Sequence, residues 1–469
     1  MKKRIMLFGA SKFGKIAYNF LIENYDIVYF IDNDQKKWEN NFSNRKVIDP
    51  AELKTIKNFY VIVTSQYDLE IVKQLLAMGI KKFGVFELQS KDKDQDYKVY
   101  HYDYEHIQDF NVIDNKISLI IENNSGSNTL ALYKFIDNYI NNKYDVNLID
   151  KKNKNKDYYF NLITSKMIVR THDGSYDDKQ INIQLWHGVP LKGLSYMSKY
   201  KLQNPELSHM QWSKLDKIMS YSQTYSTLMN ACYGVSGDKY TVTGMPRNDF
   251  LFKSNGKANL SQILNIDLND KKAIFYIPTF RTTIYGEANG ERDSYIFNNN
   301  NFHMNKLSSF LNENNCIMIL KIHPTQENEL VENIKNLQLN NMYLLNDSDL
   351  IEHGYDLYEI LNSADLLITD YSSIYFDYLL LNRTIIFVPT DLENYKENRG
   401  FLLEPYDFWT PGPKCLNEKE LENEIYNSLN NEHYYERERN ITLDVIHHYK
   451  DGNASYRVWD NIDRLMEGN

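Results

Sequence analysis

The sequence predicts an α/β protein built of consecutive parallel-sheet domains. Three observations predict it. Short apolar runs rich in Ile, Leu, Val and Phe, the length of buried strands, alternate with longer amphipathic stretches of helical period. Gly, Pro, Ser and Asn mark most of the junctions between them. And 469 residues are too many for one core, so two or three domains are expected.

The elements follow in order. "RIMLFG" reads as a strand, "FGKIAYNFLIEN" as a helix and "YDIVYFID" as a second strand. "DPAEL" opens a helix with Asp49 as its cap and Pro50 in the first turn. "FYVIVTS", "YDLEIVKQLLAMG" and "KKFGVFEL" give strand, helix and strand. Residues 1–90 are therefore a small N-terminal Rossmann-like domain, and 91–115, charged and aromatic without a period, read as a linker. A second α/β domain covers 116–255, starting at "KISLII", and a third covers 256–435, starting at "KKAIFYIPTF". Residues 436–469 form a helical tail with Tyr456, Trp459, Ile462 and Leu465 on one face.

Composition narrows the function classes. A net charge of −10 and a pI near 5.6 argue against bulk nucleic-acid binding. "KKNKNK" at 151–156 reads as a solvated loop. Cys232, Cys316 and Cys415 are far apart and odd in number, which gives neither a disulfide framework nor a zinc spacing and fits a reducing, cytoplasmic compartment. The N-terminal apolar run is too short for a signal peptide, and no stretch approaches 18 uninterrupted apolar residues, so any membrane contact is expected to be peripheral.

Several motifs carry candidate chemistry. "GASKFGKI" has a P-loop frame, but Ile16 stands where a magnesium-binding Ser or Thr belongs and Ser11 replaces the middle glycine of a dinucleotide fingerprint. We read it as a tight strand-to-helix turn, with a weak sugar-nucleotide or regulatory site as the alternative. In "QLWHGVPLKGL", Gly188 and Pro190 end a strand and leave His187 in the loop beyond it. There it either packs on Trp186 or takes a proton from an attacking hydroxyl, a role worth ~10²–10⁴ in rate. Lys192 is placed to hold an anion. In "VTGMPRNDFLF", Asn248 and Asp249 suit N-caps of the following helix, while a turn leaves Arg247 unexplained.

"AIFYIPTFR" puts Thr279 and Arg281 just past a strand, and "IMILKIHPT" does the same for His323. Strands of one parallel sheet share their C-terminal edge, where ligands bind. Guanidinium–phosphate hydrogen bonds run ~1.5–3 kcal/mol each. "ADLLITDYSSIYFDYLLL" is a strand followed by a helix opening on Ser372 and Ser373; the serines either cap that helix or join its free N–H groups in an anion site. Two such domains facing each other would bring His187, Arg281, His323, Ser372 and Ser373 onto a bound diphosphate.

The segments "WHGVPLKGL", "TGMPRND", "YIPTFR", "LKIHP" and "ADLLITDYSSIYFDYLLLNRTIIFVPTDLENYKENRGF", followed by "TPGP", resemble the CDP-glycerol glycerophosphotransferase family over about residues 180–415. Val189 stands where Thr is commoner in that family, and residues 1–90 have no counterpart in it. The resemblance implies a GT-B-like pair of Rossmann-type domains with the donor held mainly by the C-terminal one. It implies a transferase moving a polyol phosphate, glycerol phosphate first, from a CDP-activated donor to a hydroxyl of a membrane-linked glycan or growing teichoic acid or capsule polymer, releasing CMP. His187 carries over as the catalytic base, with His323, also catalytic, at the donor phosphates. Arg281, Thr279, Ser372, Ser373, Asp370, Arg399 and Gly400 surround the donor, Asp370 by ordering the loop and Arg399 and Gly400 by closing over it. Gly188, Lys192, Arg247, Asn248 and Asp249 support, and Asp377 belongs to the same motif. The alternatives are a CDP-ribitol-dependent transferase, a GT-B glycosyltransferase using a nucleotide sugar, and a non-catalytic binding scaffold. No obligatory metal or cofactor is expected, and the expected location is the inner face of the bacterial plasma membrane. The choice of polyol, primase versus polymerase action and the oligomeric state stay open.

Overall fold

A computed structural model describes residues 2–88, 97–174, 176–199, 204–268, 270–279, 303–322, 336–337, 339–398 and 400–468. They form two compact units, residues 1–114 with 153–165, and 115–152 with 166–469.

The first unit holds one sheet of seven strands, β1 (Lys3–Phe8), β2 (Tyr25–Ile31), β3 (Asn41–Phe42), β4 (Arg45–Ile48), β5 (Tyr60–Val63), β6 (Lys82–Leu88) and β7 (Tyr97–Asp103), in the order β3-β4-β2-β1-β5-β6-β7. Its interior pairs are parallel and both edges are antiparallel. The expected linker therefore contains a strand. In "YKVYHYD", Tyr100 and Tyr102 are buried while His101 and Asp103 are exposed, and these tyrosines hide the period-2 pattern from a reading that looks for aliphatic residues.

The charge run at 151–156 is not all solvated either. Lys154 is buried, ion-paired to Asp68 (3.1 Å) and Glu87, with the Tyr158 ring 5.0 Å from its ammonium. It ties the returning segment 153–165 to this unit. At the "GASKFGKI" turn, the Asp32 carboxylate accepts from Ala10 N–H (2.8 Å) and Lys37 (2.9 Å), and Ser11 caps the helix Lys12–Leu21.

The second unit holds two parallel sheets. The first has β8 (Ile113–Ile121), β9 (Asp145–Asp150), β10 (Ser165–Arg170), β11 (Ile181–Gln184), β12 (Lys217–Ser220) and β13 (Tyr240–Val242), in the order β13-β12-β11-β10-β8-β9. The second has β14 (Lys272–Tyr276), β15 (Cys316–Leu320), β16 (Met342–Leu344), β17 (Ala364–Thr369) and β18 (Ile385–Phe387), in the order β16-β15-β14-β17-β18. One apolar core runs between them, from Trp212, Ile218 and Phe250 to Phe275, Ile319 and Leu367. The boundary drawn between 116–255 and 256–435 thus lies inside one compact unit.

The chain's last helix, Ala454–Met466, returns to the first of these sheets and buries Val458, Trp459 and Ile462 against Ile117 and Leu119. Trp459, Ile462 and Leu465 lie on the packed face as expected, whereas Tyr456 points outward at 68% exposure and Val458 is buried instead. Asp249 caps this helix, not its own: its carboxylate accepts from Ala454 N–H (2.8 Å) and Ser455 N–H (2.7 Å). Asn248 makes no cap either, and both polar atoms of its buried side chain lack a partner among the described residues. A sequence window sees only the nearest helix, whereas a helix 205 residues away in the chain supplies the unsatisfied N–H groups.

Candidate active site

The loop after β11 leaves the sheet abruptly. Trp186 adopts a left-handed backbone (φ 51°) and Gly188 lies at φ 143°. Gln184 accepts from Trp186 N–H (2.9 Å), and the buried Asn128 amide donates to the Trp186 carbonyl (2.8 Å). His187 stands at the tip, where the residue keeps exposed surface while its ring packs against those of His172 and Trp186. Its Nδ1 lies 3.0 Å from the Thr171 carbonyl. A carbonyl only accepts, so Nδ1 carries the proton and Nε2 keeps a lone pair in the neutral ring. Desolvation by the surrounding protein, then the neighbouring His172, lowers its pKa well below the ordinary histidine value. The ring is a neutral base at pH 7.

Gly188 is where the two sheets meet. A Cβ there would fall 2.8 Å from Ser373 Oγ and 3.1 Å from Arg247 Nη2, so glycine is required by approach as well as by conformation. Arg247 is 4% exposed and fully occupied on its two terminal nitrogens. Nη1 donates to the carbonyls of Gly126 (3.0 Å) and His187 (2.9 Å), and Nη2 to Tyr221 Oη (3.2 Å) and Asp377 Oδ2 (2.5 Å). Tyr358 donates to the same Asp377 oxygen (2.6 Å) and places its ring 4.7 Å from the guanidinium. The turn "TGMPRND" is thereby joined to the helix that follows Ser372 and Ser373.

That helix is shorter than expected, Ile374–Tyr378, and Ser373 precedes it without a side-chain cap. Neither serine hydroxyl makes a hydrogen bond among the described residues, and both residues are half-buried. Beside them, Asp370 accepts from Thr279 N–H (2.7 Å) and Tyr371 N–H (2.5 Å), which fixes the loop after β17 to the loop after β14. Thr279 Oγ1 is buried without a partner among the described residues. Lys192 pairs with Phe401 in an isolated antiparallel bridge, and Leu402 N–H donates to the Leu191 carbonyl (2.8 Å), so Gly400 sits against the loop carrying His187. Arg281, His323 and Arg399 lie outside the described residues. Among the described residues, no group of three or more His, Cys, Asp or Glu side chains is placed to hold a metal.

Residues that sequence reasoning missed complete the seam. The loop after β8 brings Gly126 N–H and Ser127 N–H onto the buried Asp356 carboxylate (3.1 and 2.9 Å), and Ser125 onto Asp347 (2.7 Å), which Lys321 also pairs (2.9 Å). Burial pushes the Asp356 carboxyl up to about 7 against the pull of those N–H groups. Asn128 holds both loops at once, through the Trp186 carbonyl and Arg247 N–H (3.1 Å). Thr171 and His172 follow β10 as His187 follows β11. The strand-end rule that found His187 points equally to "RTHDG", and "NNSGSN" stands between a strand and a helix in the same way.

Two parallel sheets joined through their strand-end loops, with His187 on a loop of one and Ser372 and Ser373 on a loop of the other, define a GT-B-like, two-lobed fold. The chain belongs to the CDP-glycerol:poly(glycerophosphate) glycerophosphotransferase family, whose profile matches residues 108–464. Residues 1–86 match a separate profile, C2185-like, N-terminal.

Among curated relatives, the teichoic acid ribitol-phosphate polymerase TarL of Staphylococcus aureus is 30% identical over 60% of this chain and 47% of its own length. The teichoic acid glycerol-phosphate primase of Bacillus subtilis is 28% identical over 61% of this chain and 68% of its own. The chain spans about half the length of the first of these. The solved wall teichoic acid polymerase TagF superposes with a TM-score of 0.63 at 21% identity, covering 78% of this chain and 92% of that one, which establishes the fold.

Proposed function

We propose that the protein transfers a polyol phosphate, glycerol phosphate first, from a CDP-activated donor to a hydroxyl of a membrane-linked glycan or growing teichoic acid polymer, releasing CMP. The observation that carries this is the meeting of His187 and Ser373 across Gly188. A proton acceptor and hydroxyl donors are thereby carried on neighbouring loops of the two sheets. In this reading the acceptor hydroxyl approaches the phosphorus that bears the polyol and gives its proton to His187 Nε2, while CMP leaves from the opposite side. The hydroxyls of Ser372, Ser373 and Thr279, together with Arg281 and His323, meet the charge on the transferring phosphoryl group. Phosphoryl transfer asks mainly for such positioning and electrostatic stabilisation. Asp370 orders the donor loop, Lys192 and Arg399 add positive charge, and Gly400 closes against the His187 loop. No metal is assigned a step.

Ribitol phosphate is the second reading, favoured by three ribitol-phosphate polymerases among the relatives. Among the described residues no helix is long and apolar enough to cross a membrane. We assign the protein a peripheral contact with the inner membrane face, where a lipid-linked acceptor would be met. The test offers CDP-glycerol, CDP-ribitol and UDP-sugars in turn, with bacterial membrane vesicles as the acceptor source, and reads nucleotide release and product mass. The expected result is CMP release from a CDP-polyol and a mass gain of one polyol phosphate per CMP. UDP release with sugar transfer, or CDP-polyol binding without turnover, would overturn the proposal.

A further inference from the structure

His172 is half-buried, follows β10 and belongs to none of the motifs that point to the family. β10 and β11 are parallel neighbours in register, Arg170 opposite Gln184, so their ends deliver Thr171–His172 and Trp186–His187 side by side. The two imidazoles stack almost face to face, with centroids 4.3 Å apart and planes 13° from parallel. Thr171 serves both rings. Its carbonyl takes the His187 Nδ1 proton, and its hydroxyl lies 3.0 Å from His172 Nδ1. A second ring, Trp186, lies 4.2 Å from His187 at 32°.

We propose that His172 is a positioning residue for His187: the stack fixes the plane in which Nδ1 bonds the Thr171 carbonyl and Nε2 is presented to the acceptor hydroxyl. This rests on the reading of His187 as the base. An imidazole held at one atom swings about that bond, whereas a ring held at one atom and one face does not. The arrangement also bears on charge. Two imidazoles in contact resist double protonation. Arg247 and Lys192 add positive charge around His187, and Arg247, Lys151 and the carboxylate of Glu122 stand around His172. Glu122 is ion-paired to Lys151 (2.9 Å), so positive charge predominates around the pair. Desolvation is the largest cause lowering both rings.

The test compares His172→Ala, His172→Phe and His187→Ala, using the CDP-polyol that turns over and the same membrane vesicles. A base displaced by about an ångström costs ~10²-fold in rate. His172→Ala should therefore lose ~10²-fold in kcat while the donor KM stays near wild type. His172→Phe keeps a flat ring and should retain most of kcat. It removes a like-charged neighbour and offers a ring face to the imidazolium, so the acid limb of kcat/KM should move to higher pH. Wild-type kcat with an unmoved acid limb in His172→Ala overturns the proposal. So does a Phe variant as impaired as the Ala variant with an unchanged thermal transition. Full turnover in His187→Ala would remove the base reading itself, and the positioning role with it. Silent His172 variants beside an inactive His187→Ala would remove the positioning role alone.

Discussion

Removing the Asp377 carboxylate should unfold the seam more than any exposed substitution in it. Asp377 is fully buried and Arg247 is 4% exposed, so Asp377→Ala strands a guanidinium where water does not reach it. Nη2 keeps only Tyr221, and the Tyr358 hydroxyl loses its acceptor. Breaking one partner of such a pair costs ~3–5 kcal/mol, against ~0–1 for an exposed pair. Replacing both partners by apolar groups of similar volume is neutral or favourable in comparable cases. Arg247→Met with Asp377→Leu should therefore be less destabilised than either single variant.

The assay is urea unfolding followed by tryptophan fluorescence, which reports this unit through Trp186, Trp212, Trp409 and Trp459. A chain of two units need not unfold in one step, so the comparison is a double-mutant cycle on one transition and not an absolute stability. Turnover should fall in both single variants, because Arg247 also holds the His187 carbonyl. Single variants within about 0.5 kcal/mol of wild type, or effects that simply add in the double variant, would refute the reasoning.

Other outcomes follow from the same geometry. Gly188→Ala puts a methyl 2.8 Å from Ser373 Oγ at a φ of 143°, and should cost ~10²-fold in turnover by moving the His187 loop and lower the thermal transition of this unit; full activity would mean that the two loops need not touch. The lowered pKa of His187 places the acid limb of kcat/KM below the ordinary histidine value, because the ring stays unprotonated to lower pH; a limb at or above that value contradicts the assignment. Asp356, raised to about 7 when folded, binds a proton that the unfolded chain has already released, so its contribution to stability is complete below about pH 4 and is lost as pH rises to about 7. Asp356→Asn should flatten stability over that window, and parallel wild-type and variant curves would count against it. Lys154→Ala leaves Asp68 and Glu87 without their buried counter-charge and should cost ~3–5 kcal/mol in the first unit, seen as faster proteolysis or amide exchange across 153–165; unchanged exchange there would assign the pair no structural role.

The parts of the fold that were legible are those governed by local chemistry. Buried parallel strands announce themselves as apolar runs, and their ends as Gly and Pro, so the strands after which His187, Thr279 and Ser372 emerge could be located without coordinates. The illegible parts depend on partners distant in the chain. β7 was hidden because its inward residues are tyrosines among charges. Asp249 looks like a cap for the helix it begins, yet serves one that starts at Ala454. Lys154 reads as a surface charge until Asp68 and Glu87 are found around it. Arg247 was the residue that a turn could not explain, and its explanation lies 130 positions away at Asp377. In the site itself, strand-end logic located His187 but not the groups that hold it, because Thr171 acts through a backbone carbonyl and Asn128 through an amide inside a helix.

That last distinction bears on how the site keeps its geometry. His187 and Ser373 sit on loops, which are ordinarily the most mobile parts of an α/β protein. Here each loop is fastened by buried polar groups with no alternative partner in solvent. The Asn128 amide bridges the His187 loop and the Arg247 turn, and the guanidinium bridges that turn and the Asp377 helix. Detaching any one of them leaves a donor or a charge unpaired in a dry interior, at ~1–3 kcal/mol for a neutral group and more for an ion. The approach of the His187 loop to Ser373 is thus set by the same interactions that hold the two sheets together. Substitutions that alter the one should disturb the other, and the fall in turnover across the Arg247 and Asp377 variants should track the loss of seam stability.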